Sequence, residues 1–209
     1  MASNAFPPAY FRREDERDDP LFYSFPRLVV HIDDHAIAAL TEVYRRVLPA
    51  GGVVLDLMSS YRSHLPEDAA LAAVMGLGMN AVEMAQNPQL DDYVIHDLNA
   101  APMLPFEDGV FDAVICAVSV QYLTRPLDVF REVRRILKPG GVFVVSFSNR
   151  CFPTKAVAAW RAMTDVERLA LVSQYFDLSG GWYEADSAAT ESSGHDPLYA
   201  IWARKSAAY

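Results

Sequence analysis

The sequence is poor in cysteine and has no long apolar run. Only two cysteines occur, Cys116 in an apolar stretch and Cys151 in a turn-like stretch, too few for a disulfide framework and without a metal-ligand spacing. No stretch approaches the roughly 18 apolar residues that a membrane-spanning helix needs, and the N-terminal segment is charged where a signal peptide is apolar. We therefore expect a cytoplasmic, unprocessed protein without a metal site and without membrane association.

Basic residues are also scarce relative to acids. The 18 Lys and Arg residues stand against 27 Asp and Glu residues, which gives a formal net charge of -9. A chain of this charge repels nucleic-acid phosphates and anionic membrane surfaces, so neither is expected as a partner. The length of 209 residues fits one folded domain, and the sequence leaves open whether it is a monomer or a homodimer. A small molecule is the partner class that remains.

The apolar residues fall into short runs separated by helical patterns. Five runs predict buried strands: VVLDL at 53–57, LAAVMGL from 71, DYVIHDL from 92, FDAVICAVSV from 111 and VFVVSFS from 142. Two more runs, WYEAD from 182 and PLYAIWARK from 197, predict a hairpin across the polar loop SAATESSGHD. This order predicts an α/β fold: a Rossmann-like, mostly parallel seven-stranded sheet with helices on both faces and an antiparallel C-terminal hairpin.

Three segments have the spacing of amphipathic helices. Apolar residues recur every three or four positions over 35–47 and 127–137, and a third helix begins at Thr164, which forms a capping box with Glu167. The charge run RREDERDD within the first 20 residues predicts a mobile or surface-bound arm. We place an N-terminal arm with a cap or lid helix at residues 1–45 and the main domain at residues 46–209.

Polar residues follow the first and third predicted strands. Ligands of an open parallel sheet bind at the carboxyl ends of its strands, so these positions are candidate binding residues. After the first strand, the loop MSSYRSH offers an anionic group the side chains of Ser59, Ser60, Arg62 and Ser63. The alternative is that its serines only satisfy a turn or cap a short helix. After the third strand, Asp97 and the main chain of Leu98 suit an adenine edge, although an aspartate there also commonly forms a turn.

Longer blocks of the sequence point to a family. No G-x-G-x-x-G turn follows Leu57, which argues against a dinucleotide-binding dehydrogenase. Over residues 51–149, the blocks VVLDL, MGLGMN, HDLNAAPMLPFEDGVFDAVIC and FREVRRILKPGGVFVVSF resemble the class I S-adenosylmethionine-dependent methyltransferases of type 11 in order and spacing. The segment LPFEDGVFDAVICAVSVQYL followed by LKPGG is the most specific part. The resemblance implies S-adenosylmethionine as cofactor, bound by the domain at 46–209.

The resemblance also assigns roles by position. Asp56 matches the acid that supports the loop around the methionine part of the cofactor. Asp97 and Leu98 match the positions that contact adenine, and Val118 lies on the strand end beside the sulfonium. These residues are therefore the expected cofactor contacts.

Two positions depart from the family pattern. The family has a glycine-rich first loop, and this chain instead has the segment of Met58, Ser59, Ser60, Tyr61 and Arg62. Because glycine lets the backbone approach a ligand closely, these side chains are expected either to fill part of the cofactor pocket or to force the cofactor into a different position. The family also has an acid at the end of the second strand that binds the ribose hydroxyls. Gly78 stands there in this chain, and Asn80 is the expected substitute.

Candidate bases and a lid complete the prediction. The side chains that could take a proton near the site are Tyr23, His31, His64 and Tyr122. Each can instead be structural, since methyl transfer depends mainly on orientation and a base is optional. The segment FYSFPRLVVHID, residues 22–33, lies where related enzymes carry a lid. It is expected either to close the site or to be a strap whose Phe22, Phe25 and Leu28 cover apolar surface.

Two functions follow from these residues. The first is an enzyme that transfers a methyl group from S-adenosylmethionine to an oxygen, nitrogen or sulfur atom of a small molecule. The second is a catalytically weak or inactive protein of the same fold with a binding or regulatory role, which the replaced glycines and Gly78 favour.

Overall fold

A mixed sheet of seven strands forms the centre of the molecule. The computed structural model describes residues 6–207. The strands are β1 (Val53–Leu57), β2 (Ala73–Gly78), β3 (Asp92–Ile95), β4 (Phe111–Ala117), β5 (Leu137–Phe147), β6 (Asp186–Thr190) and β7 (Leu198–Arg204). Their spatial order is β3-β2-β1-β4-β5-β7-β6. The first five strands pair in parallel, and β7 pairs antiparallel with β5 on one side and with β6 on the other. The predicted fold class is confirmed.

Helices cover both faces of this sheet. They are α1 (Asp19–Tyr23), α2 (Asp34–Val47), α3 (Ala81–Ala85), α4 (Pro126–Ile136), α5 (Ala158–Ala162) and α6 (Asp165–Ser179). Helix α2 buries Leu40 and Tyr44 against one face, and α4 and α6 bury Phe130 and Phe176 against the other. With both faces covered, the central strands need apolar residues at nearly every position, which is why they read as continuous runs. The capping box of Thr164 and Glu167 is present at the start of α6.

The C-terminal hairpin differs from the prediction in its first strand. The run WYEAD does not form a strand: within it, Trp182 makes only an isolated bridge to Lys205. Strand β6 instead covers Asp186–Thr190, most of which was predicted as loop. It is an edge strand that pairs only with β7 and is largely exposed, so small and polar residues suffice and no apolar alternation marks it.

The connection between β1 and β2 is also unusual. Residues 58–72 join two parallel neighbours without any helix, so the short helix that Ser63 could have capped does not form. Crossovers of this kind usually contain a helix that packs on the sheet. Here the loop is instead held by side-chain hydrogen bonds, which belong to the candidate site.

The N-terminal arm lies against the body of the protein from residue 6 onward. Two main-chain hydrogen bonds hold it, from Asp15 to the oxygen of Thr154 and from Ala158 to the oxygen of Arg12. Of the predicted mobile or surface-bound arm, residues 1–5 lie outside the described part, and the rest is bound to the surface. Within residues 6–207, no helix combines the length and apolarity needed to cross a membrane.

Candidate functional site

A cavity of about 580 Å³ opens at the carboxyl ends of β1 to β4, beneath the arm. Its volume is in the range of small-molecule sites. Of the predicted site residues, Ser63 is buried outside this cavity and the others line it: Tyr23, His31, Asp56, Met58, Ser59, Ser60, Arg62, His64, Asn80, Asp97, Leu98, Val118 and Tyr122. Residues that are up to 99 positions apart in the sequence therefore share one crevice, at the edge of the sheet where ligands of such folds bind.

Asp56 anchors the loop after β1. Its Oδ2 atom accepts hydrogen bonds from the hydroxyls of Ser59 and Ser63, each at 2.6 Å. Asn87 extends this network by donating to the Ser63 hydroxyl and to the main-chain oxygen of Ser60. Burial raises the pKa of Asp56 to about 6, against the lowering effect of the two hydroxyls. Ser59 and Ser63 thus stabilise the loop through Asp56, in line with the alternative that the serines satisfy a turn.

Met58 and Gly78 show why the loop and the end of β2 are matched. Met58 has a left-handed backbone conformation (φ 59°), which strains any residue other than glycine. The loop then passes directly over the end of β2, where the main-chain nitrogen of Ser59 donates to the oxygen of Leu77 at 2.8 Å. A side chain at Gly78 would collide with the main-chain oxygen of Ser59. An acid at the end of β2 is therefore incompatible with this loop path.

Asn80 and Glu83 occupy the region that follows β2. The Asn80 side-chain oxygen caps α3 by accepting from the main chain of Val82 and Glu83, and its nitrogen donates to the main-chain oxygen of Tyr23. Glu83, which the sequence analysis missed, accepts from the Ser60 hydroxyl and from the main-chain nitrogen of Arg27. Its spacing of three residues from Asn80 is a capping pattern that could have indicated it. Glu83 is the carboxylate that this structure places beside the β2 end.

The position of Asp97 suggested two roles, forming a turn and contacting a ligand, and its two carboxylate oxygens divide between them. Its Oδ1 atom accepts from the main chain of Asn99 and Ala100, so it does form the turn after β3. No residue in the range 6–207 donates to its Oδ2 atom, and the side chain lines the cavity. Leu98 is buried next to it. One carboxylate oxygen is therefore available to a ligand.

The end of β4 carries a second strained residue. Val118 has a left-handed backbone (φ 49°), an outlier for a β-branched residue, and its main-chain oxygen accepts from the Gln121 side chain. Strain of this kind is often retained at ligand sites. Tyr122 follows, with its ring stacked on Phe152 and its hydroxyl accepting from the main-chain nitrogen of Phe152.

The four candidate bases differ in their protonation. Burial lowers the pKa of His31 and brings that of His64 to about 4, so both imidazoles are neutral near pH 7. Neither ring forms a hydrogen bond with any other residue of the described chain. Burial raises the pKa of Tyr122 to about 12 and that of Tyr23 well above its usual value, which makes both phenols poor proton acceptors. Of the four, the neutral imidazoles are the groups in a protonation state that can accept a proton.

The arm is fastened over the crevice by polar contacts. Asp19, 4% exposed, forms ion pairs with Arg13 at 2.7 Å and with Lys155 at 3.0 Å, and accepts from Asn99 at 2.8 Å. Burial by itself raises the pKa of Asp19, but these donors outweigh it and the net shift is downward. Phe25 is 78% exposed, and Leu28 is exposed too. Phe22, the third residue of the predicted strap, does pack against an aromatic ring, that of Phe152, so the strap prediction fits Phe22 and not the other two residues, and the lid stays a prediction.

The family comparison decides the identity of this fold. Residues 61–145 match the family model described as a methyltransferase domain. A chain from the Haloferax volcanii complex of the Trm112 methyltransferase activator with a methyltransferase superposes with a TM-score of 0.59 at 17% identity, covering 83% of this chain and 91% of that one. The fold is therefore that of the class I methyltransferases, and the chain is similar in sequence to the methyltransferase-domain family over residues 61–145. The family match begins just after the strained loop at Met58, Ser59 and Ser60.

Curated relatives of this methyltransferase differ in the atom that they methylate. A malonyl-[acyl-carrier protein] O-methyltransferase from Marinomonas sp. is 31% identical over 126 residues, covering 56% of this chain and 46% of the relative. A ubiquinone/menaquinone biosynthesis C-methyltransferase from Ruegeria sp. is 36% identical over 73 residues, covering 34% of this chain and 28% of the relative. The chain thus spans less than half the length of these relatives.

The residues of the crevice fit the family's cofactor. S-adenosylmethionine carries an adenine amine, ribose hydroxyls and an α-amino acid group. The cavity has a carboxylate oxygen of Asp97 for the amine, the carboxylate of Glu83 near the β2 end for hydroxyls, and the Arg62 guanidinium for the carboxylate. Arg62 donates to main-chain oxygens and lies over the ring of Tyr61, and no carboxylate pairs with it within residues 6–207. The donor set matches the cofactor despite the missing glycines.

Proposed function

We propose that this methyltransferase binds S-adenosylmethionine in the crevice and transfers its methyl group to an oxygen, nitrogen or sulfur atom of a small molecule. The observation that carries the proposal is the free Oδ2 atom of Asp97, which faces the same cavity as the Arg62 guanidinium. A carboxylate and a guanidinium in one crevice complement the amine and the carboxylate of a single ligand. The net charge of -9 supports a small molecule over a nucleic acid as acceptor.

The residues of the chain would act mainly by positioning. S-adenosylmethionine, when bound, would supply a methyl group activated by its positively charged sulfonium sulfur. Asp97 and Arg62 would fix the two ends of the ligand, and the arm would exclude water from the crevice. A neutral imidazole, His31 or His64, would take the proton that the acceptor atom releases.

Replacing Asp97 tests this assignment. In calorimetric titrations with S-adenosylhomocysteine, we expect Asp97→Ala to weaken binding by roughly tenfold or more, because a hydrogen bond to a charged group is lost. The matched control is Asp92→Ala, an exposed residue at the start of β3 outside the cavity. Equal affinity for the two variants would remove Asp97 from the cofactor site.

The second function, a protein of this fold with a binding or regulatory role, has its own supporting observation. The strained loop and Gly78 are packed on each other, which changes the part of the site where the family has glycines and an acid. The same titration separates the two functions. Tight binding together with methyl transfer supports the enzyme, and no binding at millimolar ligand supports the second function.

A further inference from the structure

Part of the crevice lies outside the region formed by the ends of β1 to β4. We call it the acceptor chamber and define it by the lining residues Arg27, His31, Tyr122 and Phe152, contributed by the arm, the turn after β4 and the loop after β5. Phe22 does not line the cavity and supports the chamber by packing against Phe152. Phe152 is at its centre. The rings of Phe22, His31 and Tyr122 lie 5.4, 5.3 and 5.9 Å from the Phe152 ring. The chamber therefore has flat, apolar walls.

Arg27 contributes a positive charge to these walls. Its guanidinium carbon lies 4.5 Å from the ring centre of Phe22 and 5.2 Å from that of Phe152. Two of its N–H groups donate to the main-chain oxygens of Phe25 and Phe22, at 3.3 and 3.2 Å. The other three N–H groups have no acceptor, and no carboxylate forms an ion pair with the side chain, among residues 6–207.

The acids that line the crevice do not supply the missing partner. Asp19 and Asp56 bond the cations and hydroxyls described above, and Glu83 bonds Ser60 and the main chain, not the side chain, of Arg27. Asp97 uses its Oδ1 atom for the turn after β3, and neither of its oxygens pairs with Arg27. In a chain where acids outnumber bases by 27 to 18, a half-buried arginine without a carboxylate indicates an anion from outside. The planar fork of a guanidinium matches a carboxylate in particular.

We propose that the acceptor chamber binds a flat, apolar carboxylate, anchored by Arg27, and that this molecule is the methyl acceptor. The inference rests on the proposed methyl transfer. It places the His31 imidazole against the same Phe152 ring as the ligand, where it can take the acceptor's proton. Arg150 adds a second cation at the rim, 64% exposed and 3.8 Å from Asp196, too weakly paired to be neutralised.

Matched pairs of an acid and its amide test the chamber. Benzoate, cinnamate, benzamide and cinnamamide are titrated into the full chain saturated with S-adenosylhomocysteine, and affinity is measured by calorimetry. We expect a carboxylate to bind roughly tenfold or more tightly than its amide.

Arg27→Gln should abolish this preference for the carboxylate over the amide. Arg27→Lys should restore part of it, because lysine keeps the charge and loses the fork. Arg12→Gln, at an exposed position of the same arm, should have no effect.

Each other result bears on one proposal only. Equal affinity for acid and amide, or a wild-type chain that binds S-adenosylhomocysteine and none of the four probes, overturns the chamber and leaves the methyltransferase proposal standing. Weakened S-adenosylhomocysteine binding in Arg27→Gln, with the acid preference retained, would place Arg27 at the cofactor instead. A wild-type chain that fails to bind S-adenosylhomocysteine contradicts the proposed function, and the probes titrated into the unliganded chain then still test the chamber.

Discussion

Ionisation of the buried carboxyl of Asp56 makes the free energy of unfolding depend on pH. Its raised pKa means that the folded protein holds this proton more tightly than the unfolded chain does. The effect on stability therefore has the opposite sign to that of an ion-paired aspartate. Below about pH 4 the carboxyl is protonated in both states, and as the pH rises towards 6 only the unfolded chain releases the proton. The free energy of unfolding falls over this window.

Asp56→Asn should remove this pH dependence. From the shift to about 6, the contribution lost between pH 4 and pH 7 is roughly 3 kcal/mol. Urea unfolding of wild type and variant over this range should therefore give a difference that changes with pH by about that amount. Asp177→Asn, at an exposed position of α6, serves as control and should keep the wild-type slope. An Asp56→Asn slope equal to that of wild type would show that Asp56 ionises normally.

Residues at strand ends were predictable because the sheet itself brings them together. Asp56 lies near the carboxyl end of β1 and Asp97 follows β3, and the order of these strands is visible in the sequence, so their meeting in one crevice follows from topology. Glu83 was missed because its importance depends on the arm and on the Ser60 hydroxyl, which are distant in sequence. The left-handed conformation of Val118 was not predictable either, since no glycine marks it.

At the scale of elements, the arm is held by a buried charge cluster in addition to Phe6 and Phe11, which pack against Tyr175. Asp19 lies between Arg13 and Lys155, and the Lys155 side chain is fully buried. The run RREDERDD looked solvated in sequence because its partner lies more than 130 residues away. A buried pair that loses one member leaves an uncompensated charge, at a cost of about 3–5 kcal/mol. The cluster therefore makes arm docking sensitive to one residue.

Asp19→Asn should release the arm from the crevice. We expect amide hydrogens of the arm, such as that of Asp15, to exchange roughly 100-fold faster or more, while those of β4 are little changed. Hydrogen exchange followed by mass spectrometry measures both regions in one experiment. Asp18→Asn changes the neighbouring, exposed carboxylate and should leave exchange in the arm unaltered. Unchanged arm exchange in Asp19→Asn would mean that other contacts fasten the arm.

The regular elements followed from the sequence more completely than the irregular ones. Helices α2, α4 and α6 and strands β1 to β4 lie within a few residues of their predictions, because burial on both faces imposes a clear pattern. Strand β5 begins at Leu137, five residues before the predicted start at Val142, and so includes the LKPGG segment. Strand β6 and the short helices α1, α3 and α5 were not predicted. Edge strands and single turns bury little apolar surface, so their sequences carry no periodic signal.

At the scale of the whole molecule, one sheet edge, one arm and one loop after β5 enclose a single cavity. The sequence predicted the sheet and the position of the crevice, since both follow from the order of strands and helices. It did not predict that the loop after β1 would replace glycines by packing on Gly78, because that requires the two backbones to be seen together. The crevice thus combines a methyltransferase-like fold with a loop path of its own.

A crystal structure of the full chain with S-adenosylhomocysteine tests most directly whether the crevice binds the cofactor. We expect the ligand in the crevice, with its adenine amine at Asp97 and its carboxylate at Arg62. The loop from Met58 to Arg62 would keep its path over Gly78. A crevice without ligand at millimolar concentration, or a ligand bound elsewhere on the protein, would contradict this expectation.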